Sequence, residues 1–298
     1  MKIVLLLLIL FSFNSFAENC YVYVTSPVVN FTQSTSDQSV ALDLDLVKFS
    51  NSNRCRSYYL GFSKGSAGSY DRKLYNGGYS VNYNIYEKEN TSKELWSAYE
   101  NSSSRKVKVD MDSWYKRVTV YVKLPAPTST LQTGLYTDST QIQILPRSSG
   151  STGGGFSQLT TNLNIQSDIN LSLVGRGGQY DENQTSHTLN FGTMTTGKMR
   201  SFDLIVKANT GYRISVSSEY DGSLAHNEKS NYKVGYTFGV NGSGMSLVGS
   251  KSSPKQIYSS NTPSQNGRVI EIDVSLLNTE QKLSGPYSDY IYFTAISN

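Results

Sequence analysis

The chain has 298 residues, a formal net charge of +4, 22 tyrosines, two cysteines and two histidines. No run of Lys or Arg forms the basic stripe of a nucleic-acid binder. The Tyr-rich segments, separated by Gly, Ser, Thr and Asn, have the composition of exported β-rich proteins, whose strands favour aromatic and β-branched residues.

Lys2 precedes the apolar stretch IVLLLLIL, which continues into FSFNSFA, with Ser15 and Ala17 as small residues. The apolar run is far short of the roughly 20 residues that span a bilayer. Residues 1–17 read as a secretory leader cleaved after Ala17, with an N-terminal membrane anchor as the alternative. Loss of Lys2 lowers the formal charge to +3. Cys20 and Cys55 are then the cysteines of an exported chain, most simply a disulfide that closes a loop near the start of the first domain. Their spacing excludes a CxxC redox site. Both histidines, His187 and His226, lie in the second half, away from any two-cysteine metal site.

Period-two alternation then recurs in ALDLDLVKF (41–49), YSVNYNIYE (79–87), KVKVDM (106–111), RVTVYVKL (117–124) and TQIQIL (140–145). Such alternation marks half-buried strands. KELWSAYENSS (93–103) has room for one helical turn. PRSSGSTGGGFSQ (146–158) is Gly/Ser-rich and reads as a flexible hinge. The second half continues with LNIQSDINLSLV, RSFDLIVKA, YRISVSS, NYKVGYTFGV, RVIEIDVSLL and DYIYFTAI, punctuated by turn signals such as RGGQYDEN, EYDGS and VNGSG. Many short strands with regular turns predict an all-β chain of antiparallel sandwiches. The expected organisation is a first domain at 18–146, a linker at 147–158 and a second domain at 159–298.

Two stretches nearly repeat: GLYTDSTQIQI begins at Gly134 and GPYSDYIYFTAI at Gly285. Gly134, Tyr136 and Asp138 match Gly285, Tyr287 and Asp289, each pair separated by the same 151 residues. A single offset of that size predicts two copies of a whole domain. The motif reads as architecture: Gly turns the backbone into the strand and Asp accepts N–H bonds in that turn.

Around this motif the first half carries a Cys, then CRSYYLGFSKG, DRKL, VNYNIYE and GLYTDSTQIQI in that order. The set resembles the spore coat protein U domain, the module of pilins in archaic (Csu-type) chaperone–usher pili. The second half is similar more loosely, through LNFGTM, KMRSFDLIVKA, GYRISVSSEYDGSL, VGYTFGVNG and GPYSDYIYF, and it departs from the pattern in having no cysteine pair. A two-domain chain of this kind resembles the tip adhesins of such pili. The resemblance implies two immunoglobulin-like antiparallel sandwiches, the second lacking one strand. Its partners would be a periplasmic pilus chaperone, an outer-membrane usher and the next pilin, which donates the missing strand. Export through the periplasm to the cell surface follows. CYVYVTSPVVNF begins close behind the leader and leaves no spare strand to donate, which favours the tip; YVYV as a donor segment, and hence a shaft subunit, is the alternative.

Two loops are candidates for contact with a surface. If β-strand 117–124 ends at the pole away from the second domain, the connection LPAPTSTLQT is distal and presents Leu124, Pro125, Ala126, Pro127 and Leu131, uncharged and stiffened by two prolines. An ordinary Pro-rich connector is the competing reading. The second candidate is KELWSAYENSS with Leu95, Trp96 and Tyr99, whose aromatics either anchor a binding patch or cover the end of the sandwich. Trp114 and Tyr115 read as core. The resemblance points to an abiotic hydrophobic surface as target; a glycan of a host or neighbouring cell is the other.

No GxSxG, HExxH or P-loop pattern occurs, and DENQ lacks the spaced ligands of a calcium loop. No enzyme activity, cofactor, metal site or nucleic-acid partner is expected. Three readings stand: a pilus tip adhesin, a shaft or adaptor subunit, and a freestanding secreted sandwich that binds carbohydrate.

Overall fold

The computed structural model describes residues 18–49, 52–127, 131–148 and 151–298; the expected leader, residues 1–17, lies outside them. The chain divides into two compact units. Unit one takes residues 1–127 and 135–164, and unit two takes Thr128–Gly134 and Ile165–Asn298.

Unit one begins with β1 (Glu18–Val24), β2 (Val28–Thr32), β3 (Gln38–Lys48), β4 (Ser57–Phe62), β5 (Lys73–Asn76) and β6 (Tyr79–Asn82). It continues with β7 (Asn84–Tyr86), β8 (Val107–Asp110), β9 (Tyr115–Leu124), β10 (Gly134–Pro146) and β11 (Ser151–Ile165). One layer runs β1-β3-β9-β7. The other is built on β10, which pairs with β4 and β5 along one edge and with β11 along the other. Alternation sends Leu42, Leu44 and Leu46 of β3 and Val120 and Val122 of β9 into the core with Leu60, Phe62, Ile142 and Ile144. Burying each such side chain contributes about 1.5–3 kcal/mol. Cys20 on β1 is bonded to Cys55 ahead of β4, a separation of 35 residues. Val22 and Val24 of β1 are buried, and β1 pairs with both β3 and β11. YVYV is therefore a working strand of unit one.

The stretch expected as a linker, 147–158, is in large part the start of β11. β11 runs parallel to β2 from Thr160↔Val28 to Asn164↔Thr32 and parallel to β1 from Glu18↔Ser151 to Tyr21↔Gly154. Leu159, Thr161, Leu163 and Ile165 enter the core. The glycines here allow close approach. A Cβ on Gly155 would overlap the Val22 carbonyl oxygen, and one on Gly154 would overlap the Ile144 carbonyl oxygen. Glycine thus lets β11 lie between β10 and β1.

KELWSAYENSS is irregular up to Ser103, where a single 3-10 turn (Ser103–Arg105) begins. Leu95 is fully buried and the segment is held flat on β4, where Phe62 N donates to Trp96 O at 2.9 Å. Gly61 makes room for it, since a Cβ there would overlap the Trp96 carbonyl. The buried Arg72 guanidinium fastens the same region by donating to Phe62 O, Leu95 O and Asn84 Oδ1. Its burial lowers its pKa, and satisfied acceptors on every side are what such a cation requires.

Unit two contains β12 (Ile169–Gly175), β13 (Met199–Ala208), β14 (Tyr212–Ser218), β15 (Ser223–His226) and β16 (Lys233–Val240). It ends with β17 (Ser243–Met245), β18 (Lys255–Ser260), β19 (Ser264–Leu276), β20 (Tyr287–Ser288) and β21 (Ile291–Ser297). One sheet runs β12-β13-β19-β16-β15-β20, with β17 on β16, and the other runs β18-β14-β21. Phe202, Leu204, Val206, Ile214, Val216, Phe238, Ile270 and Ile272 form the core. The chain is thus two β-sandwiches in series.

Candidate functional site

The repeated motif marks the same local structure in both units. Gly134 and Gly285 have φ of 124° and 143°, a region that side chains disfavour. A Cβ on Gly285 would also overlap the His226 ring. Asp138 Oδ1 accepts Ser66 N at 2.9 Å and Oδ2 accepts the Tyr83 hydroxyl at 2.6 Å. Asp289 Oδ1 accepts Tyr220 N at 3.1 Å, and Oδ2 accepts the hydroxyls of Tyr236 and Ser218 at 2.6 Å. Each Asp therefore clasps the turn that follows the neighbouring strand, β4 or β14, together with a buried tyrosine. Burial and the carboxylate push the Tyr83 and Tyr236 phenols well above the ordinary tyrosine range. Tyr136 is fully buried, whereas Tyr287 is half-buried and donates to Leu283 O at 2.9 Å.

With the motif aligned, β21 of unit two stands where β10 stands in unit one. Thr140, Ile142 and Ile144 match Ile291, Phe293 and Ala295 at the same offset. The first three are under two per cent exposed. The second three are only partly buried, as are Ile169, Leu171 and Leu173 of β12. The physical cause is one strand. In unit one β11 pairs with β10 and with β2 and inserts its alternate side chains between them. In unit two β21 pairs only with β14, and β12 only with β13, among the described residues. β12 and β21 thus each end a sheet, flanked by half-buried apolar side chains, and on the outer edge of β12 Leu173 N donates to Gln184 O at 2.8 Å.

The expected surface loops land elsewhere. Because β11 returns the chain to the pole where β10 starts, Leu124–Thr133 lies where the chain enters unit two, not at the opposite pole. Its second half belongs to unit two, where Thr133 N donates to Asn209 O and Thr133 Oγ1 donates to Ile165 O. Leu124 is buried in the core; Pro125 is exposed, and Ala126, Pro127 and Leu131 are half-buried. In the other loop Leu95 is core, and Trp96 is stacked between Tyr70 at 4.8 Å and Arg105 at 5.1 Å. Only Tyr99 points out.

The pole opposite the chain crossing carries aromatics that the sequence reading passed over. Trp114, expected in the core, is 66% exposed, and Phe49 is 73% exposed. Trp114 O accepts Lys48 N at 2.7 Å and Phe49 N donates to Tyr21 O at 3.1 Å, which sets the backbones of Tyr21, Phe49 and Trp114 side by side where β3 ends and β9 begins. Parity held the signal for Phe49: one residue past β3, it continues the outward series of Asp43 and Asp45. Among the described residues no three His, Cys, Asp or Glu side chains come together as a metal site.

Residues 10–143 match the family model of the Spore Coat Protein U domain. No curated protein matches the chain. Among solved structures it is similar to the CsuC-CsuE chaperone–tip adhesion subunit pre-assembly complex of archaic chaperone-usher Csu pili of Acinetobacter baumannii. That likeness has 12% identity and a TM-score of 0.45, covering 92% of this chain and 99% of that one. It is also similar to the CupB6 tip adhesin of Pseudomonas aeruginosa, at 12% identity and a TM-score of 0.44, over 93% and 94% of the two chains. A mutant of the CfaE adhesin of enterotoxigenic Escherichia coli gives 9% identity and a TM-score of 0.43, over 92% of each chain.

Proposed function

We propose that this chain, whose first half carries a Spore Coat Protein U domain, is the tip adhesin subunit of an archaic chaperone–usher pilus. In this reading unit two joins the fibre by taking a strand from the next subunit into the groove between β12 and β21. A periplasmic chaperone holds that groove before the usher assembles the pilus, and unit one attaches the fibre to a surface. The observation that carries the reading is internal to the chain: positions that β11 covers in unit one are left half-covered in unit two. Strand addition at such an edge supplies main-chain hydrogen bonds and pockets for alternate side chains. Left open, the same edge is an aggregation hazard. The tip position is supported by β1, which is engaged by the disulfide, β3 and β11. The exposed Tyr21, Phe49 and Trp114 replace the two loops expected from sequence as the contact with a hydrophobic surface.

The test is thermal unfolding of the full chain with and without a peptide from the N-terminal strand of a candidate shaft pilin. The reading expects unit two to be raised in melting temperature by the peptide, with protection of β21 amides from exchange. A chain that is monomeric, melts cooperatively and ignores the peptide would falsify it.

A further inference from the structure

Unit one contains a cavity of about 440 Å³ that neither the groove nor the exposed aromatics use. That volume is within the range of small-ligand sites. Its lining includes Tyr83, Asn84 and Leu124, each more than nine-tenths buried. Asn84 is fixed by Arg72 Nη1 at 2.5 Å and by donating to Tyr70 O at 2.8 Å. Tyr83 is fixed by Asp138. The walls therefore do not depend on a ligand for their shape.

The lining is acidic. The carboxylates of Asp71, Glu89 and Glu94 accept no hydrogen bond and form no ion pair among the described residues, and Asp37 uses only Oδ1, which accepts Ala126 N at 2.7 Å. The one lining cation, Lys123, is turned to the carbonyl oxygens of Glu89 and Thr91 and to the Tyr86 ring at 4.7 Å. Behind Asn84 lies a second cation, the buried Arg72 guanidinium, engaged by Phe62 O, Leu95 O and Asn84 Oδ1, and four carboxylates against two engaged cations still draw positive charge into the cavity. They are spread around the wall and do not converge as metal ligands. Between them stand the Asn82 amide and the Ser39 hydroxyl, with Tyr86 and Pro125 as apolar wall. Dispersed carboxylates with the Asn82 amide and the Ser39 hydroxyl suit a molecule with many hydroxyls, each met by a different partner. We propose that this cavity binds a saccharide carrying a free primary ammonium group. The site is made of unit one residues alone and does not depend on the groove of unit two.

Calorimetric titration of the full chain with a β-1,4-linked glucosamine tetramer, its fully N-acetylated counterpart and spermidine tests this. The glucosamine tetramer should bind. The acetylated form should bind at least about tenfold more weakly, because a charged hydrogen bond is lost. Spermidine, having charge without hydroxyls, should also bind more weakly. Glu94→Gln combined with Asp71→Asn should weaken the tetramer by a similar factor. Absence of binding, equal binding of the acetylated tetramer, equal binding of spermidine, or an unaffected double variant each overturns the proposal. If the double variant folds poorly, the selectivity of the unaltered chain among the three probes decides.

Discussion

Replacing Gly155 by alanine separates a strand from a linker. In a flexible linker the change is silent, within about 0.5 kcal/mol. In β11 the new Cβ meets the Val22 carbonyl oxygen, which is backbone and cannot rotate away. Either β1 or β11 must shift, and both are paired there, through Tyr21↔Gly154 on one side and Val22↔Lys48 on the other. Overpacking of this kind costs about 1–3 kcal/mol. With a urea slope of about 2 kcal/mol/M, the midpoint falls by roughly 0.5–1.5 M. The assay is urea unfolding of the full chain read on the amide protons of β1. Gly78→Ala is the control, since its Cβ would meet open space. Equal midpoints for the two variants would refute the threading of β11, and with it the internal precedent for the groove in unit two.

Cys20→Ser with Cys55→Ser opens a loop of 35 residues and should lower the stability of unit one by about 4 kcal/mol on the chain-entropy estimate; identical protease resistance under oxidising and reducing conditions would count against it. The Tyr83 and Tyr236 phenols are raised by burial and by their carboxylate partners, so the folded state holds these protons more tightly than the unfolded chain. The resulting stability is whole below the unfolded value of about 10 and is lost as pH rises above it. Tyr83→Phe and Tyr236→Phe should each flatten the alkaline loss in their own unit; unchanged slopes between pH 9 and 12 would exclude the linkage. Phe49→Ser with Trp114→Ser should reduce attachment of piliated cells to polystyrene while pilus number and melting temperature stay within error. Undiminished attachment would remove this pole as the adhesive surface.

The fold class was legible because alternation is a local signal: the inward parity of β3 and β9 reads directly from ALDLDLVKF and RVTVYVKL. The same parity places Leu124 inward with Val120 and Val122, so its burial was available to a stricter reading of the strand. The repeat at Gly134 and Gly285 was visible for the same reason, and the left-handed φ of both glycines explains why that residue recurs. The role of Gly153–Gly155 was not legible. Glycine serves a mobile tether and a tight backbone crossing equally well, and only the partners Val22 and Ile144 tell them apart. That one ambiguity reversed the polarity assigned to the Leu124–Thr133 loop. Trp114 was missed because it stands just before β9, where strand parity no longer governs direction.

The placement of Thr128–Gly134 and Ile165 in unit two has a mechanical consequence. The chain passes between the units at the end of β9, at the start of β10 and at the end of β11. A pull transmitted through unit two therefore reaches unit one at three strand ends. Along β11 the bonds to β2 and β1 lie across the strand, so a pull along the strand axis loads them together and not in sequence from one end. Deeper in the strand, β11 is paired to β1 beside Cys20, which Cys55 holds covalently. Under tension along β11, unit one is sheared and not unzipped.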